Sequence, residues 1–434
     1  MHITILLLGL MIEFDTWTNE YPRTMQVTWY RDTTQLEQQT YNVDSALYFC
    51  DTQVSSYNKI VITFTNMMRP NRYLKIFNIY DGTTRNFYNE EIENLNIIEE
   101  INSNNTSLAI NQASTTLLPL NETGVQFQRT LPFMVYRNEV LYGKFFINTS
   151  TANTDKSLYK LKVDDWISIL EGQTYLGGTY NSTAVSTIIL DLMGDVPYTL
   201  DATLGAKTIT GYLPILNKRE ALRQIAFAIN GMIDTSRSDK VQIIPMPSSV
   251  SQTLGKSEIV TISSTQQSIT TKYILNVKTL VATTSEAEEL FSGTISGNTT
   301  VLFSSPTYDL SITGGTIVSS NINYAIITGS GAVTLTGKSY DNVENQYEKS
   351  NNYAVASDIQ KEQTFNTTIV SDVTTMLNNL HFVDYKIKSK FKMGTIKVGE
   401  MISLDGVICR AIKLSYNLVQ TDIYCEAELE AYYE

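Results

Sequence analysis

Residues able to support covalent or acid–base chemistry are scarce in this sequence. The histidines are His2, at the chain terminus, and His381, after the last apolar residue of a predicted helix. A cationic side chain is favourable at a helix C-terminus, so we interpret His381 as a cap or surface residue rather than a general base. Each of Cys50, Cys409 and Cys425 lies within or beside a strand pattern, which is typical of an inert core thiol.

Carboxylates remain the candidates for catalysis, because glycoside hydrolysis needs two of them at a defined separation. Asp164 and Asp165 begin a predicted helix, and we interpret them as caps, with Asp164 as the expected N-cap. Two further acidic groups are typical of solvated faces: Glu90, Glu91 and Glu93, and Glu286, Glu288 and Glu289. The sequence has no P-loop, serine-hydrolase or zinc-protease motif and no Cys-x-x-Cys pair. We therefore predict no catalytic residue, cofactor site or metal site.

The lysines of YKIKSKFKM form a sharper pattern, because they recur at every second residue. They are Lys386, Lys388, Lys390 and Lys392. This period places all four on one face of a strand, with Ile387 and Phe391 on the other. One interpretation is an edge strand guarded by charge against unwanted pairing. The alternative is a contact with an acidic partner surface, which makes these lysines the candidate subunit or partner contacts.

The composition indicates a β-dominated chain of several domains. Its 434 residues are 42% apolar and 10% aromatic, which supplies real cores and excludes general disorder. Charged residues make up only 18%, and Ser, Thr, Asn and 26 tyrosines favour strands and turns. The charge balance of 32 − 44 = −12 argues against binding a nucleic-acid backbone.

The apolar start MHITILLLGLMIEF does not predict a membrane anchor. Its apolar run is shorter than the roughly 20 residues that span a bilayer, and it lacks a basic n-region and a cleavage site. We interpret it as a buried strand or a partner-covered segment, and we expect no integral membrane association.

In the first half of the chain, strand patterns precede helical ones. KIVITFTNMM and RYLKIFNIY are predicted strands separated by a turn at residues 69–71. EEIENLNIIEEIN fits a helix or a strand equally well. LPFMVYRNEVLYGKFFIN predicts a hairpin turning at residues 137–139, with a bulge at Gly143.

Helical patterns begin near Asp164, in DDWISILEG, STAVSTIILDLMGDVP and NKREALRQIAFAING. In the third string, Asn217 is the expected N-cap, Glu220 completes a capping box, and Gly231 ends the helix. Its buried face is expected to comprise Leu222, Ile225, Ala226 and Ile229. A strand, VQIIP, follows.

The second half predicts an all-β region, a polar linker and a final mixed segment. Residues 256–340 combine Ser, Thr, Gly, Ile and Val with sparse charge, and short strand patterns recur. DNVENQYEKSNNY is interpreted as the linker. A helix follows, with Ser371 near its start and an apolar face of Ile369, Val373, Met376, Leu377 and Leu380. Asp405-Gly406 then marks a hairpin.

Several of these strings resemble the tail hub proteins of contractile-tailed phages, prophages and phage-tail-like bacteriocins. The resemblance is carried centrally by GYLPILNKREALRQIAFAINGMIDTSRSDKVQIIP, with PFMVYRNEVLYGKFFI and DDWISILEGQTYLGGTY before it. YAIITGSGAVTLTGKSYDN and the lysine strand followed by GEMISLDG are similar to the distal half of the family. The resemblance covers the chain from about Lys59 onward.

The resemblance implies a fold with two tube-like β-barrel modules, a small α/β domain and an all-β insertion. The expected divisions are an N-terminal β segment at 1–58, a first hub module at 59–163, the α/β domain at 164–247, the insertion at 256–340, and a linker, helix and second module at 341–434. As a family, such proteins are non-enzymatic trimeric adaptors that join the sixfold tail tube to the threefold central spike and leave an axial channel.

The resemblance also implies the partners and the location. The expected partners are two further copies of the chain, the tail tube protein, the central spike protein and other baseplate proteins, with the tape-measure protein as a further candidate. The expected location is the baseplate of a virion or tail-like particle assembled in the bacterial cytoplasm. The competing hypothesis is a carbohydrate-binding tail adhesin or a cell-wall glycosidase. Tyrosines scattered along the whole chain, rather than clustered in one segment, count against it.

Overall fold

The computed structural model of the protein is built mainly of strands, which confirms the expected β-dominated multidomain fold class. It describes residues 1–6, 10–15, 20–43, 46–50, 52, 54, 57–67, 73–81, 84–118, 127, 131–154, 157–265, 269–284, 286–351 and 360–432.

The first part of the chain is built of strands. They are β1 His2–Leu6, β2 Leu10–Phe14, β3 Pro22–Arg31, β4 Thr34–Asn42, β5 Leu47–Cys50, β6 Lys59–Met67, β7 Ile76–Asp81, β8 Thr84–Tyr88, β9 Ile92–Glu100, β10 Gln112–Leu117, β11 Pro132–Arg137, β12 Val140–Ala152 and β13 Tyr159–Asp164. The ambiguous string EEIENLNIIEEIN is therefore largely the strand β9.

Short helices and strands follow. They are α1 Trp166–Glu171, β14 Thr174–Tyr175, β15 Gly178–Ala184, α2 Val185–Met193, β16 Tyr198–Leu200, α3 Ala202–Gly205, β17 Thr208–Leu213, β18 Leu216–Asn217, α4 Lys218–Ile229, β19 Gly231–Asp234 and β20 Val241–Pro245.

Strands again dominate the remainder. They are β21 Val250–Leu254, β22 Ile259–Thr265, β23 Ile269–Ala282, β24 Glu288–Leu302, β25 Thr307–Ser320, β26 Tyr324–Ser350, β27 Gln360–Thr367, β28 Ile369–Val370, β29 Val383–Lys392, β30 Met401–Leu404, β31 Val407–Asn417 and β32 Tyr424–Tyr432. The helix α5 Val373–Asn378 lies between β28 and β29.

A single 13-stranded sheet joins distant parts of the chain. Its main path is β22-β29-β32-β31-β9-β10-β13-β12-β11-β1-β8, and β21 and β30 extend it beside β31. One face covers a large apolar core to which both halves contribute, with Leu95 and Phe133 from one half and Phe391 and Leu429 from the other. On the opposite face, the neighbouring strands β29, β32 and β31 carry charged side chains, among them Lys388, Glu428 and Lys413.

The two halves of this sheet have the same strand order. The first run of four neighbouring strands is β9-β10-β13-β12, and the second is β22-β29-β32-β31. Read in this direction, the neighbours in each run come first, second, fourth and third along the chain. Each run also ends in a hairpin with a two-residue turn, at Asn138-Glu139 and at Asp405-Gly406, and all four turn residues have positive φ. Both predicted hairpins are therefore confirmed, and the register shift of the first leaves Tyr142 unpaired beside Gly143, as the predicted bulge requires.

The apolar start of the chain contributes two strands, which confirms the interpretation as buried strand. β1 pairs with β11 in the large sheet, whereas β2 pairs with β5 and β7 in a smaller one. β3, β4 and β6 form a further sheet, and Met25, Val27 and Trp29 pack with Ile12 in a separate core. The strands predicted for KIVITFTNMM and RYLKIFNIY are confirmed as β6 and β7, and the turn between them lies outside the described residues.

The three predicted central helices form, but their caps differ from expectation. Asp165, not Asp164, caps α1 and accepts a hydrogen bond from the Ile167 amide at 2.9 Å. Asn217 caps α4 as predicted, at 2.7 Å from the Glu220 amide, but the Glu220 carboxylate accepts hydrogen bonds from Arg223 and Gln224.

The end of α4 also differs from expectation. Asn230 takes the left-handed conformation there, and Gly231 already begins β19. The predicted buried face of α4 is confirmed, because Leu222, Ile225 and Ala226 are all fully buried.

The linker predicted for DNVENQYEKSNNY is wrong up to Ser350, because these residues continue the long strand β26. Residues 340–350 of β26 pair with residues 272–282 of β23. Nearly all of this stretch is exposed, so it shows no alternation of apolar and polar residues. The following helix starts later than predicted, at Val373 with Asp372 as its cap, and Ile369 belongs to β28.

Candidate interaction surface

The four lysines predicted as partner contacts lie on β29, inside the large sheet. β29 has β22 on one side and β32 on the other, so its lysines do not guard an edge and that interpretation is wrong. The predicted division of faces is confirmed, because Ile387 and Phe391 are buried while Lys388 and Lys392 are exposed.

Each of these lysines faces an acidic side chain of the same protein. The nitrogen–oxygen distances are 3.8 Å for Lys386–Glu430, 3.5 Å for Lys388–Glu428, 3.6 Å for Lys390–Glu426 and 3.0 Å for Lys392–Asp422. Three of the acids lie on β32, and Asp422 precedes it. Because most of these side chains are well exposed, each pair stabilises the fold by roughly 0–1 kcal/mol.

One row of alternating charge crosses the boundary between the two sheet halves. Lys388 on β29 faces Glu428 on β32, which also pairs in register with Lys413 on β31. Lys413 in turn lies 2.9 Å from Glu100 on β9, the first strand of the other half. The exposed face at this boundary is therefore locally balanced in charge. We call these four residues the charge row.

A buried charged cluster lies on the other face of the same boundary. The Glu99 carboxylate accepts a hydrogen bond from the Tyr416 hydroxyl at 2.8 Å and lies 3.3 Å from the Arg237 guanidinium. Burial raises the pKa of Glu99, although Arg237 and Tyr416 oppose that shift. Arg237 also donates to the Ile396 carbonyl at 2.6 Å. Arg237 thereby ties the helical region to both halves of the sheet.

A second buried joint links the helical region to β10. Asp165 accepts hydrogen bonds from the Asn111 amide at 2.9 Å and from the Thr235 hydroxyl, in addition to capping α1. Complete burial raises the pKa of Asp165 to about 7, against the effect of these three donors. The arrangement holds two segments together and explains this carboxylate without a catalytic role.

A polar cleft of about 330 Å³ lies beside the charge row. Its lining includes Glu100, Asn104, Lys361, Asp384 and Lys386. The Asn104 side chain donates to the Tyr273 hydroxyl at 3.2 Å, while its buried oxygen has no hydrogen-bond partner. A cleft of this kind can accept a small polar ligand.

The other candidate chemical residues do not come together in one site. His381 lies near the surface beside Tyr432, with ring centres 5.1 Å apart, and partial burial together with Arg410 and Lys349 lowers its pKa. All three cysteines are buried, which confirms their expected place in the core, and burial raises the pKa of Cys409 and Cys425 to about 12.

The acidic run near residue 90 is only partly solvated. Glu91 is buried and accepts a hydrogen bond from the Tyr88 amide, so the solvated-face interpretation is wrong for it. Within the described ranges, no group of three or more His, Cys, Asp or Glu residues could hold a metal ion. No helix among those residues is long and apolar enough to cross a membrane.

Sequence reasoning missed the buried charges. Glu99 lies at the end of a mixed string, and Arg237 lies in a polar turn 138 residues away, so no local pattern marks them as partners. Arg410 is also buried, on β31, where it donates to the carbonyls of Pro247 and Gly399 at 2.8 and 2.7 Å. Two signals were present. One is the basic residue in the otherwise apolar strand VICRAI, and the other is that a strand reading of EEIENLNIIEEIN places Glu99 on one face with Leu95 and Ile97.

Comparison with known proteins finds similarity only among solved structures. No protein-family model matches the chain, and no curated protein matches it. A tail protein of Neisseria meningitidis is similar at 10% identity and a TM-score of 0.47, covering 81% of this chain and 94% of that one. A 43 kDa tail protein of prophage MuSo2 from Shewanella oneidensis is similar at 8% identity and 0.43, covering 80% and 95%.

A third similar structure comes from E. coli. It is a type VI secretion component described as structurally similar to the T4 bacteriophage tail proteins gp27 and gp5. It has 6% identity and a TM-score of 0.38, covering 79% of this chain and 74% of that one. All three of these similar structures are at 10% identity or less.

Proposed function

We propose that this protein is a structural hub of a phage tail or tail-like particle. Three copies form a ring that joins the sixfold tail tube to the threefold central spike and surrounds an axial channel. The protein acts by assembly and not by catalysis. The family resemblance of the central and distal strings supports this proposal.

The single observation that carries the proposal is the repeated strand order within one sheet. One chain supplies two runs of equivalent topology, joined edge to edge through β31 and β9. Three chains then supply six such runs, which suits contact with a sixfold tube, while the ring itself keeps threefold symmetry. Closed symmetric rings of this kind are the usual form of homo-oligomers.

The charge distribution is compatible with a channel that does not retain nucleic acid. The chain has a net charge of −12, and the lysines of β29 are matched by acids of the same protein. Binding to a nucleic-acid backbone draws on unmatched Lys and Arg that displace counterions. We therefore expect no salt-dependent binding of DNA.

Mass measurement of the purified full-length chain tests this function. Native mass spectrometry and negative-stain microscopy are expected to show trimers and rings, alone or with tail tube and spike proteins. A monodisperse monomer that stays unassembled in the presence of both partners would refute the proposal.

The polar cleft favours a second candidate, a carbohydrate-binding tail adhesin or cell-wall glycosidase. The cleft has carboxylates and amides in its lining, which are groups that contact sugars. Binding on a glycan array, or release of reducing ends from cell-wall sugars, would support this candidate. Loss of that sugar binding or sugar release in the variant Asp384→Asn would locate the carbohydrate site in the cleft.

A further inference from the structure

The polar cleft beside the charge row lies where separate parts of the chain meet. Its lining comes from the segment between β9 and β10, from β23 and β27, from the start of β29, and from β31 and β32. Its volume of about 330 Å³ is within the range of roughly 300–1,000 Å³ that is usual for small-ligand sites. The cleft is therefore large enough for a small molecule.

Two β-bulges border the cleft. In β29, residues 383 and 385 pair with the consecutive residues 432 and 431 of β32, which leaves Asp384 as the extra residue. In β23, residues 270 and 272 pair with the consecutive residues 361 and 362 of β27, which leaves Thr271 as the extra residue. A bulge turns a side chain out of the regular alternation, and bulges are common beside functional sites. Asp384 and Lys361, one at each bulge, both line the cleft.

Other charged groups of the cleft have partners within the chain. Glu100 lies 2.9 Å from Lys413, and Lys386 lies 3.8 Å from Glu430. The Glu430 carboxylate also accepts a hydrogen bond from the Ser103 hydroxyl at 2.6 Å. These pairs hold the walls of the cleft in place, and their charges balance each other.

Asp384 and Lys361 differ from these paired groups. Neither side chain has a hydrogen bond or an ion pair with any described residue. Asp384 is half-buried and Lys361 is exposed. Glu362, next to Lys361, lies 3.9 Å from Lys272 instead. The cleft therefore presents a carboxylate and an ammonium group, on different strands, that are both available to a ligand.

A third polar group of the cleft has an unused hydrogen-bond acceptor. The Asn104 side chain donates to the Tyr273 hydroxyl at 3.2 Å, and that hydroxyl donates to the His381 carbonyl at 2.8 Å. These two bonds fix the direction of the Asn104 amide. Its buried oxygen has no partner among the described residues, and a buried acceptor without a donor is unfavourable. A ligand that brings N–H groups to this wall therefore suits the cleft better than one that brings only acceptors.

From this arrangement we infer that the cleft binds a small zwitterion, namely an amino acid or short peptide with free amino and carboxylate groups. The ligand ammonium lies against Asp384, and the ligand carboxylate lies against Lys361. A neutral sugar would leave both of these protein charges without a counter-charge. The inference goes beyond the hub function and does not depend on the number of copies in the assembly.

Three forms of one dipeptide test the two charges separately. Alanyl-alanine carries both charges, its N-acetyl form lacks the ammonium, and its C-terminal amide lacks the carboxylate. In calorimetric titrations of the full-length chain at low salt, alanyl-alanine is expected to bind, and each blocked form is expected to bind about three- to tenfold more weakly. Because the protein is the same in all three titrations, this comparison is independent of any effect on folding.

Two substitutions then assign each charge to a residue. In Asp384→Asn, the free and the acetylated dipeptide should bind equally weakly, since the partner of the ammonium is gone. In Lys361→Gln, the free and the amidated dipeptide should bind equally weakly. Asp309→Asn and Lys338→Gln, at an ion pair outside the cleft, are the matched controls and should leave binding unchanged.

The outcomes separate this inference from the proposed function. Equal affinity of the free and blocked dipeptides, or no binding of alanyl-alanine, overturns the zwitterion site and leaves the hub function standing. Binding of N-acetylglucosamine that Asp384→Asn abolishes, without binding of the dipeptide, also overturns it and assigns the cleft to the carbohydrate candidate. Charge-dependent dipeptide binding by a chain that never assembles supports the site and refutes the hub function.

Discussion

Removal of the Arg237 side chain is expected to destabilise the junction of the two sheet halves strongly. Arg237→Ala leaves the Glu99 carboxylate, whose side chain is 1% exposed, with the Tyr416 hydroxyl but without its cation. Breaking a buried pair by removing one partner typically costs about 3–5 kcal/mol. We expect a loss in that range in the free energy of unfolding of the sheet.

Lys413, on the exposed face of the same boundary, supplies a matched control. Lys413 lies 2.9 Å from Glu100, but the two side chains are 35% and 44% exposed. Lys413→Ala should therefore cost no more than about 1 kcal/mol. Chemical denaturation followed by tyrosine fluorescence measures both variants.

The loss should depend on pH in a defined direction. Burial raises the Glu99 pKa in the folded state, and removing Arg237 removes the main opposing influence. A carboxyl whose folded pKa exceeds its unfolded value loses stability as the pH rises through that interval. The defect of Arg237→Ala relative to wild type should hence be largest at neutral pH and shrink as the pH falls towards the unfolded value of about 4.3.

A second substitution checks the cause. Glu99→Gln in the Arg237→Ala background removes the unpaired charge and should restore part of the stability at neutral pH. Wild-type stability of Arg237→Ala at neutral pH, or a defect independent of pH, would refute the buried-charge explanation.

Three further predictions concern other parts of the chain. Ile225→Asp should unfold the helical region, because it buries an unpaired charge at a cost of several kcal/mol. Leu190→Asp, at a residue 63% exposed, is the control and should leave the melting temperature nearly unchanged. Equal melting temperatures of the two variants would contradict the packing of α4. Lys388→Glu/Lys390→Glu makes the exposed face beside Glu428 and Glu426 acidic, so repulsion between copies of this chain of net charge −12 should weaken assembly at low salt more than at high salt, while circular dichroism shows a folded chain; normal assembly at low salt would limit these lysines to their pairs within the chain. Cys409 and Cys425 should resist alkylation by iodoacetamide in the folded protein and react after denaturation, as mass spectrometry can show, because burial keeps their thiols protonated.

Local patterns in the sequence determined much of the secondary structure. Asn217 can cap α4 because its side chain and the Glu220 amide are three residues apart, and the apolar face through Ile225 follows from the helical period. The hairpin at Asp405-Gly406 follows from the positive φ angles that these residues tolerate. Such features depend on contacts within a few residues, so the sequence carries them directly.

Tertiary structure decided which strands are neighbours, and with them the character of the candidate surface. The spacing of the lysines predicted their common face, but only the pairing of β29 with β32 placed Glu428 opposite Lys388 and removed the edge-strand interpretation. Glu99 and Arg237 meet across 138 residues, and the exposed end of β26 offered no alternation to reveal a strand. Pairing between distant strands depends on backbone hydrogen bonds that every sequence can form, so local residue patterns do not specify the partner.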